Sequence, residues 1–496
     1  MDNQEPQVAA GHLPPLEQAR VRWHRLRACY RYANLASYHF LGFAIKLVLL
    51  LYFALALMFL ALRYAILPNI DLYKGDIEAA AGHALGNRVT IARLEAGWQG
   101  IHPVLTLGDV RLIDRGGRQV LALPAVSAAL SWWSLAALEP RLHALEVRGA
   151  QLDVRRGRDG VLSVAGVRLD PDKKDDGRGA DWLLRQREIV IRGGRVDWTD
   201  ELRGRPTLAL TEVTIALLNR FGGGHRFALR ATPPRALGRP LDVRARFRHR
   251  FGVRPSDIRR WKGELYADLR DADLVAWKQH VDLPFQMASG RGSVRAWLSV
   301  DQARIAGFTA DLALADVNAR LDPSLAPLTL ARVSGRLAAS EEMLPGKDEG
   351  KPTFGAHGHT ISLTDFSVST RAGQALPPAT LQQTWRPARD GKPEQGELRA
   401  RQLDIGALAA LAGYLPLPPQ QRQMLLDYAP RGRLLDVEAG WEGRYPALRG
   451  FRLRGDVAGL WINAQPARPA QPARGSQPAL PGRPATPGFQ NLNGSI

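Results

Sequence analysis

The chain has 496 residues, carries a formal charge of +19 and contains one cysteine, Cys29. A single cysteine excludes an intramolecular disulfide, and the length sets a prior of about three domains unless the body is one elongated repeat. The basic balance points to polyanionic surroundings, either lipid head groups or nucleic acid, with a solvated basic surface as the bland alternative.

Residues 1–37 are polar and basic and read as a tail ending in a short helix. Phe40 to Leu62 is then an apolar run with one charge, Lys46. About 20 mainly apolar residues carry a helix across the hydrocarbon core, where every backbone group must bond internally. A transmembrane helix over 38–67 is therefore expected, anchored by Phe40, Leu50, Phe53, Phe59 and Leu62, with the Lys46 ammonium snorkelling to the near interface. Arg20, Arg22, Arg25, Arg27 and Arg31 precede it, so the positive-inside rule leaves the N-terminus in the cytoplasm and the body across the membrane. The basic head and the apolar run are both too long for a cleaved signal peptide. A body without cysteine suits an oxidising compartment, where anionic lipid is met more often than nucleic acid.

Past Pro68, the spacing predicts a helix over Asp71–Leu85 capped by Gly86. Alternation of apolar and polar residues predicts antiparallel strands over Val89–Trp98, Val104–Ile113 and Gln119–Leu123. Ser131 to Leu135 breaks the alternation as a short capped helix, and Trp132 and Trp133 are expected to pack beneath the sheet.

An internal echo follows. Leu145 to Val154 and Ile189 to Trp198 share the form apolar, x, apolar, Arg, Gly, small, polar, apolar, Asp, apolar, and a weaker copy starts at Phe451. In both good copies the apolar positions shift by one across the glycine, which predicts a bend that keeps one face buried. Between the copies, Asp170 to Asp181 is a charged loop in which Lys173 and Lys174 interrupt the oxygen donors that calcium needs.

Short alternating segments continue from Thr207 to Leu337, with Gly222 to Gly224 as a hairpin turn. Arg244, Arg246, Arg248 and Arg250 fall on one face of a strand, and Val243, Ala245, Phe247 and Phe251 on the other. One face of that sheet is basic and wet, and the other apolar. Strands resume at Thr360 and Gly396, a helical hairpin is expected near 404–428, and residues 464–487 form a Pro/Ala-rich insert before a further β segment at 488–496.

No catalytic signature is present: no nucleophile elbow, phosphate loop, cysteine pair or His-Glu-x-x-His helix. His357 and His359 lack a third metal ligand nearby in the sequence and read as strand histidines. No enzyme, metal or cofactor is expected.

An N-terminal anchor, then Ile77-Glu78, Leu85 to Ile91, Ala96 to Leu107, Leu130 to Leu135, Leu152 to Arg156 with Asp159-Gly160, and Pro487 to Gly494 together resemble the AsmA-like proteins, and within them the large YhdP type. The resemblance covers the chain from about residue 40 onward and carries no catalytic residues. It implies a likeness to bridge-like lipid-transfer proteins, an inner-membrane anchor, a periplasmic body, and phospholipid movement between inner and outer membrane that supports outer-membrane integrity. Members of that type are much longer, so the chain is expected to be an N-terminal portion.

The expected fold is mainly β: an N-terminal transmembrane helix (38–67), an AsmA-like or chorein-like β unit with short helices (68–180) and a repeated β-groove region (181–463). These β segments would form one elongated, twisted antiparallel sheet of repeated units shaped as an open groove. Leu145, Val147, Leu152, Val154, Ile189, Ile191, Val196 and Trp198 are the candidate groove residues. Exposing an acyl chain costs about 0.8 kcal/mol per methylene, so some sixteen would cost on the order of 12 kcal/mol unless an apolar face shields them. Phospholipids and the inner membrane are the expected partners, with outer-membrane or periplasmic proteins as further candidates and no nucleic acid. The alternative is a non-transporting periplasmic scaffold for outer-membrane protein assembly, whose sheet faces would close on themselves.

Overall fold

The computed structural model describes residues 40–85, 88–113, 119–134, 139–164, 167–169, 178–220, 222–250, 252–281, 285–302, 304–341, 357–389, 391–415, 417, 419–443, 447–467 and 484–496. The chain divides into two units, Met1–Tyr73 and Lys74–Ile496. The N-terminal tail, most of the charged loop at 170–181 and the middle of the Pro/Ala-rich insert lie outside the described residues.

The first unit contains α1, an α-helix over residues 40–61, which runs into a π-turn (Leu62–Ile66) and a 3-10 segment (Leu67–Tyr73). The helical stretch is long and apolar enough to cross a membrane, and its apolar window is exposed on all sides. Phe40, Leu50 and Phe53 are more than half exposed, whereas Phe59 and Leu62 are partly covered. A helix that is apolar all round must be buried in protein or in lipid.

The second unit begins with α2 (Lys74–Leu85), three residues later than the spacing predicts. Then come β1 (Arg88–Gln99), β2 (His102–Ile113) and β3 (Gln119–Leu130), paired antiparallel in sequence order. β4 (Leu142–Arg148) and β5 (Gln151–Arg156) are two halves of one bent strand, and β6 (Leu162–Val164) and β7 (Val167–Leu169) extend from β5. After α3 (Arg178–Arg185) the chain returns as β8 (Glu188–Asp200), followed by β9 (Leu208–Arg220), β10 (Gly224–Thr232), β11 (Leu241–Arg248) and β12 (Lys262–Asp273). Beyond α4 (Leu274–Lys278) lie β13 (Gln286–Asp301), β14 (Arg304–Arg320), β15 (Leu328–Glu341), β16 (His359–Thr370), β17 (Ala375–Arg386) and β18 (Gln395–Asp404). The helical hairpin α5 (Ile405–Leu411) and α6 (Pro419–Tyr428) precedes β19 (Arg431–Glu442), β20 (Gly450–Ile462) and β21 (Phe489–Ser495).

All 21 strands belong to one sheet, in which β1, β7 and β21 each have a single partner, and no pairing joins β1 to β21 among the described residues. The sheet is therefore open and is not a barrel. The sheet is antiparallel as expected, with one local exception: β8 runs parallel to β4 and β5, because the chain passes through α3 and returns in the same direction, as a crossover must. One expectation needs correction. Trp133 does not pack beneath the sheet but is 72% exposed, while its neighbour Trp132 donates its indole N–H to the Ile101 carbonyl.

The bends in the strands have a repeated cause. Asp109, Glu212, Asp271, Asp316, Asp365 and Asp436 all have left-handed backbone angles, with φ between 45° and 53°. Each sits in a four-residue pattern of leucine, any residue, acid, apolar, as in Leu314-Ala-Asp-Val317 and Leu434-Leu-Asp-Val437. Aspartate tolerates this conformation better than most residues, and the extra residue re-aims the strand so that both halves keep an apolar side inward. Five of the six residues after the acids, Val110, Val213, Ala272, Val317 and Val437, are buried, and the sixth, Phe366, is half-buried. The Leu-x-acid-apolar pattern was readable in the sequence, but each copy is too short to stand out alone.

Candidate functional site

The candidate site is the apolar face of the sheet. Its seed is the internal echo. Leu145 pairs with Ile189, Val147 with Ile191, Leu152 with Val196 and Val154 with Trp198, so the two copies lie side by side in parallel, each residue against its own counterpart. All eight candidate groove residues are brought together by this ladder. The bend falls at Gly149 and Gly193, whose φ angles are 68° and 60°. Val196 and Trp198, beyond the bend, pack in one cluster with Ile215, Val213 and Leu229, so both halves of the strand present their apolar residues to the same face.

From that seed one row of register partners crosses the sheet. Leu145 is flanked on one side by Ala128, Leu105 and Ala96 on β3, β2 and β1. On the other side Ile189 meets Leu217, then Phe227, Ala245 and Leu265 on β9 to β12. The row continues through Leu298, Phe308, Ala339 and Ile361 on β13 to β16. It ends through Gln383, Leu398, Ala439 and Leu453 on β17 to β20. Gln383 is its one polar member. At about 4.8 Å between neighbouring strands, seventeen strands give a stripe on the order of 75 Å long.

Coverage differs along the row. At its start Leu105, Ala128 and Ile189 are buried, and α2 packs on β1 and on α3. Glu78 of α2 accepts the Ile91 N–H at 2.7 Å, and Gln186, just past α3, accepts the Leu142 N–H at 2.7 Å. From β9 onward the large members, Leu217, Phe227, Leu265, Leu298, Phe308, Ile361, Leu398 and Leu453, are only half-buried. The packed clusters lie beyond the bends instead, where α4 covers Leu237 and Leu241 and where α5 covers Leu314, Val333 and Val368.

The opposite face is polar and carries a series of ion pairs. Arg336 donates to Asp311 at 2.6 and 3.0 Å and holds that carboxyl below the ordinary carboxylate range. Arg244 does the same to Asp242, and Arg195 is bound to Asp197 and Arg155 to Asp153. Exposed pairs of this kind add at most about 1 kcal/mol each. Their effect is to hold a charged surface flat against water while the other face stays apolar.

At one end of the strands the apolar face changes character. His225 is buried, stacks on Trp261 with centroids 4.6 Å apart, and shares a 2.6 Å hydrogen bond with Asn219 through its Nδ1. Burial, together with the nearby His249, lowers its pKa to about 4. Neither this cluster nor the stacked His102 and His143 was anticipated; their histidines are far apart in the sequence and carry no motif spacing. His359 lies beside Trp385, and no metal-binding group of His, Cys, Asp and Glu occurs among the described residues.

No curated protein and no solved structure matches the chain. Among protein families, the one described as YhdP protein matches residues 31–496. The match spans α1 and the whole sheet, and by it this chain belongs to the YhdP family.

Proposed function

We propose that the chain is anchored in the inner membrane by α1, with its body in the periplasm, and that the open part of the apolar row shields the acyl chains of phospholipids passing between inner and outer membrane. The observation that carries this is the row from Leu217 to Leu453, apolar on every strand but β17, where Gln383 stands. An apolar stripe that crosses twelve strands without a covering layer leaves surface in water at about 25 cal/mol per Å². An acyl chain laid on it removes that cost from both partners, and the head group remains in solvent. Membership of the YhdP family and the presence of a helix apolar enough to cross a membrane support the same reading. A scaffold with closed faces has no use for an uncovered stripe, so the transfer reading is preferred.

The test uses the full chain with a photoreactive residue at Leu265, Leu298 or Ile361, and at Ser299 or Ser362 on the polar face. Illumination in cells followed by mass spectrometry gives phospholipid adducts from the first three positions and none from the last two. Equal adducts from both faces, or none from either together with no phospholipid in an organic extract of the protein, would overturn the proposal.

A further inference from the structure

Many arginines of the polar face are held in ion pairs, but at the corner where β9 to β12 end six of them cluster without one. Arg220, Arg226, Arg246, Arg248, Arg250 and Arg254 are all exposed there, and none has an ion-pair partner among the described residues. Arg226 stands directly opposite Arg246, and Arg220 and Arg248 flank Gly224 from either side. Like charges facing each other across a ladder destabilise a sheet, and the acids nearby do not remove the excess. Glu264 pairs with Arg246 in register without forming an ion pair, Asp301 is taken by Lys262 at 2.9 Å, and Asp257 by Arg260 at 3.2 Å.

The connection between β11 and β12 adds an apolar tip to this charge. Ile258 is 53% exposed and is followed by Arg259 and Arg260. The connection is held in place: Trp261 stacks on His225, its indole N–H donates to Pro255 at 3.1 Å, and the Ser256 N–H donates to Asp181 of α3 at 2.9 Å. Guanidinium groups suit phosphate because their fixed fork of donors matches two oxygens at once. A prearranged cluster of them beside a protruding apolar side chain is the composition of a segment that rests in the head-group layer of an anionic bilayer.

We infer that the β11–β12 corner is a second membrane contact, a docking surface for an anionic phospholipid surface. Arg220, Arg226, Arg246, Arg248 and Arg254 engage phosphates, and Ile258 enters the head-group layer. It uses no residue of α1 or of the apolar row, and it does not depend on the row carrying lipid.

The test places the full chain in nanodiscs of phosphatidylcholine and measures flotation with added vesicles. Vesicles of equal parts phosphatidylcholine and phosphatidylglycerol are captured, vesicles of phosphatidylcholine alone are not, and added salt weakens capture. The double variant Arg246→Ser with Arg248→Ser loses about 25-fold in apparent affinity, roughly 5-fold for each arginine near an anionic surface. Arg246→Lys with Arg248→Lys retains most of it, and Ile258→Ser weakens it further without changing the salt dependence. Arg295→Ser with Arg336→Ser, on the neutralised part of the same face, leaves it unchanged. Equal capture of both vesicle types, or an unaltered double serine variant, would overturn the inference. So would capture that depends on inorganic phosphate but not on phosphatidylglycerol, which marks a free-anion site. Leu265→Asp, which disrupts the apolar row, leaves capture intact, so failure of the lipid-transfer reading and failure of this one are distinguishable.

Discussion

The Gly149 N–H donates to the carbonyl of Arg192 at 3.0 Å, directly beside the bend that each copy of the internal echo makes at its own glycine. The next rung is reversed, Arg195 donating to Ala150 at 2.8 Å. Two copies of one short pattern thus bend together because they are bonded to each other at the bend.

Substitution at these bends acts through the backbone alone. A methyl added at Gly193 meets nothing within 4 Å, yet its φ of 60° is left-handed. Gly193→Val should lower stability by about 1–2 kcal/mol, whereas Gly193→Asn should cost less because asparagine visits that region. Denaturant midpoints of the two variants check this, and equal losses would show that the bend is not the cause.

Gly335 is constrained in a second way. A methyl there would stand 2.5 Å from the Phe366 Cα and 2.6 Å from the Asp365 carbonyl oxygen, against the left-handed residue of the next strand. Gly335→Ala is therefore expected to cost more than Gly193→Ala, by about 1–3 kcal/mol for the forced shift. Asp365→Gly, which relieves the left-handed aspartate, should be neutral or stabilising.

The open row should separate stability from lipid handling. Leu298 is half-buried and uncovered, so Leu298→Asp gives up only part of a leucine's burial, about 1 kcal/mol. A carboxylate in the path of an acyl chain is far more costly to desolvate. The expected result is a folded protein with a circular dichroism spectrum unchanged and phospholipid adducts lost at neighbouring Leu265. Leu330→Asp, under α5 and buried, should instead unfold that part of the sheet.

His225 makes stability depend on pH. Its folded pKa of about 4 lies below the ordinary value of 6.5, because burial and His249 disfavour the charged ring. The unfolded chain therefore binds the proton first as pH falls. Stability contributed by the neutral ring is complete above pH 6.5 and is lost as pH drops from 6.5 towards 4. Discounted for solvent screening, the loss is on the order of 2 kcal/mol. His225→Gln should flatten the stability profile in that window while leaving it little changed above it, and an unaltered slope would assign the dependence elsewhere.

The membrane anchor has its own test. Leu50→Arg places a charge near the middle of α1, at a cost of about 2.5–3.5 kcal/mol for insertion. The variant should shift towards the carbonate-soluble fraction, whereas Lys46→Leu should not.

The apolar run at Phe40 to Leu62, the alternation that makes Arg246 polar-facing and Phe247 apolar-facing, the hairpin at Gly222 to Gly224 and the glycine bends of the echo were all determined by sequence alone. These depend on neighbours within a few positions, where the two-residue period of a strand and the 3.6-residue period of a helix leave a direct trace. Residue Trp133 shows the limit of such reasoning, since local context cannot say whether an aromatic ring finds a cover. Only the tertiary structure decided that Leu145 lies on Ile189 in parallel, that α2 and α3 close the start of the apolar face, and that the face from Leu217 to Leu453 stays uncovered. Period and composition say which side of a strand is apolar. What lies against that side is settled by contacts between residues tens to hundreds of positions apart, whose loop-closure cost and packing no local pattern encodes.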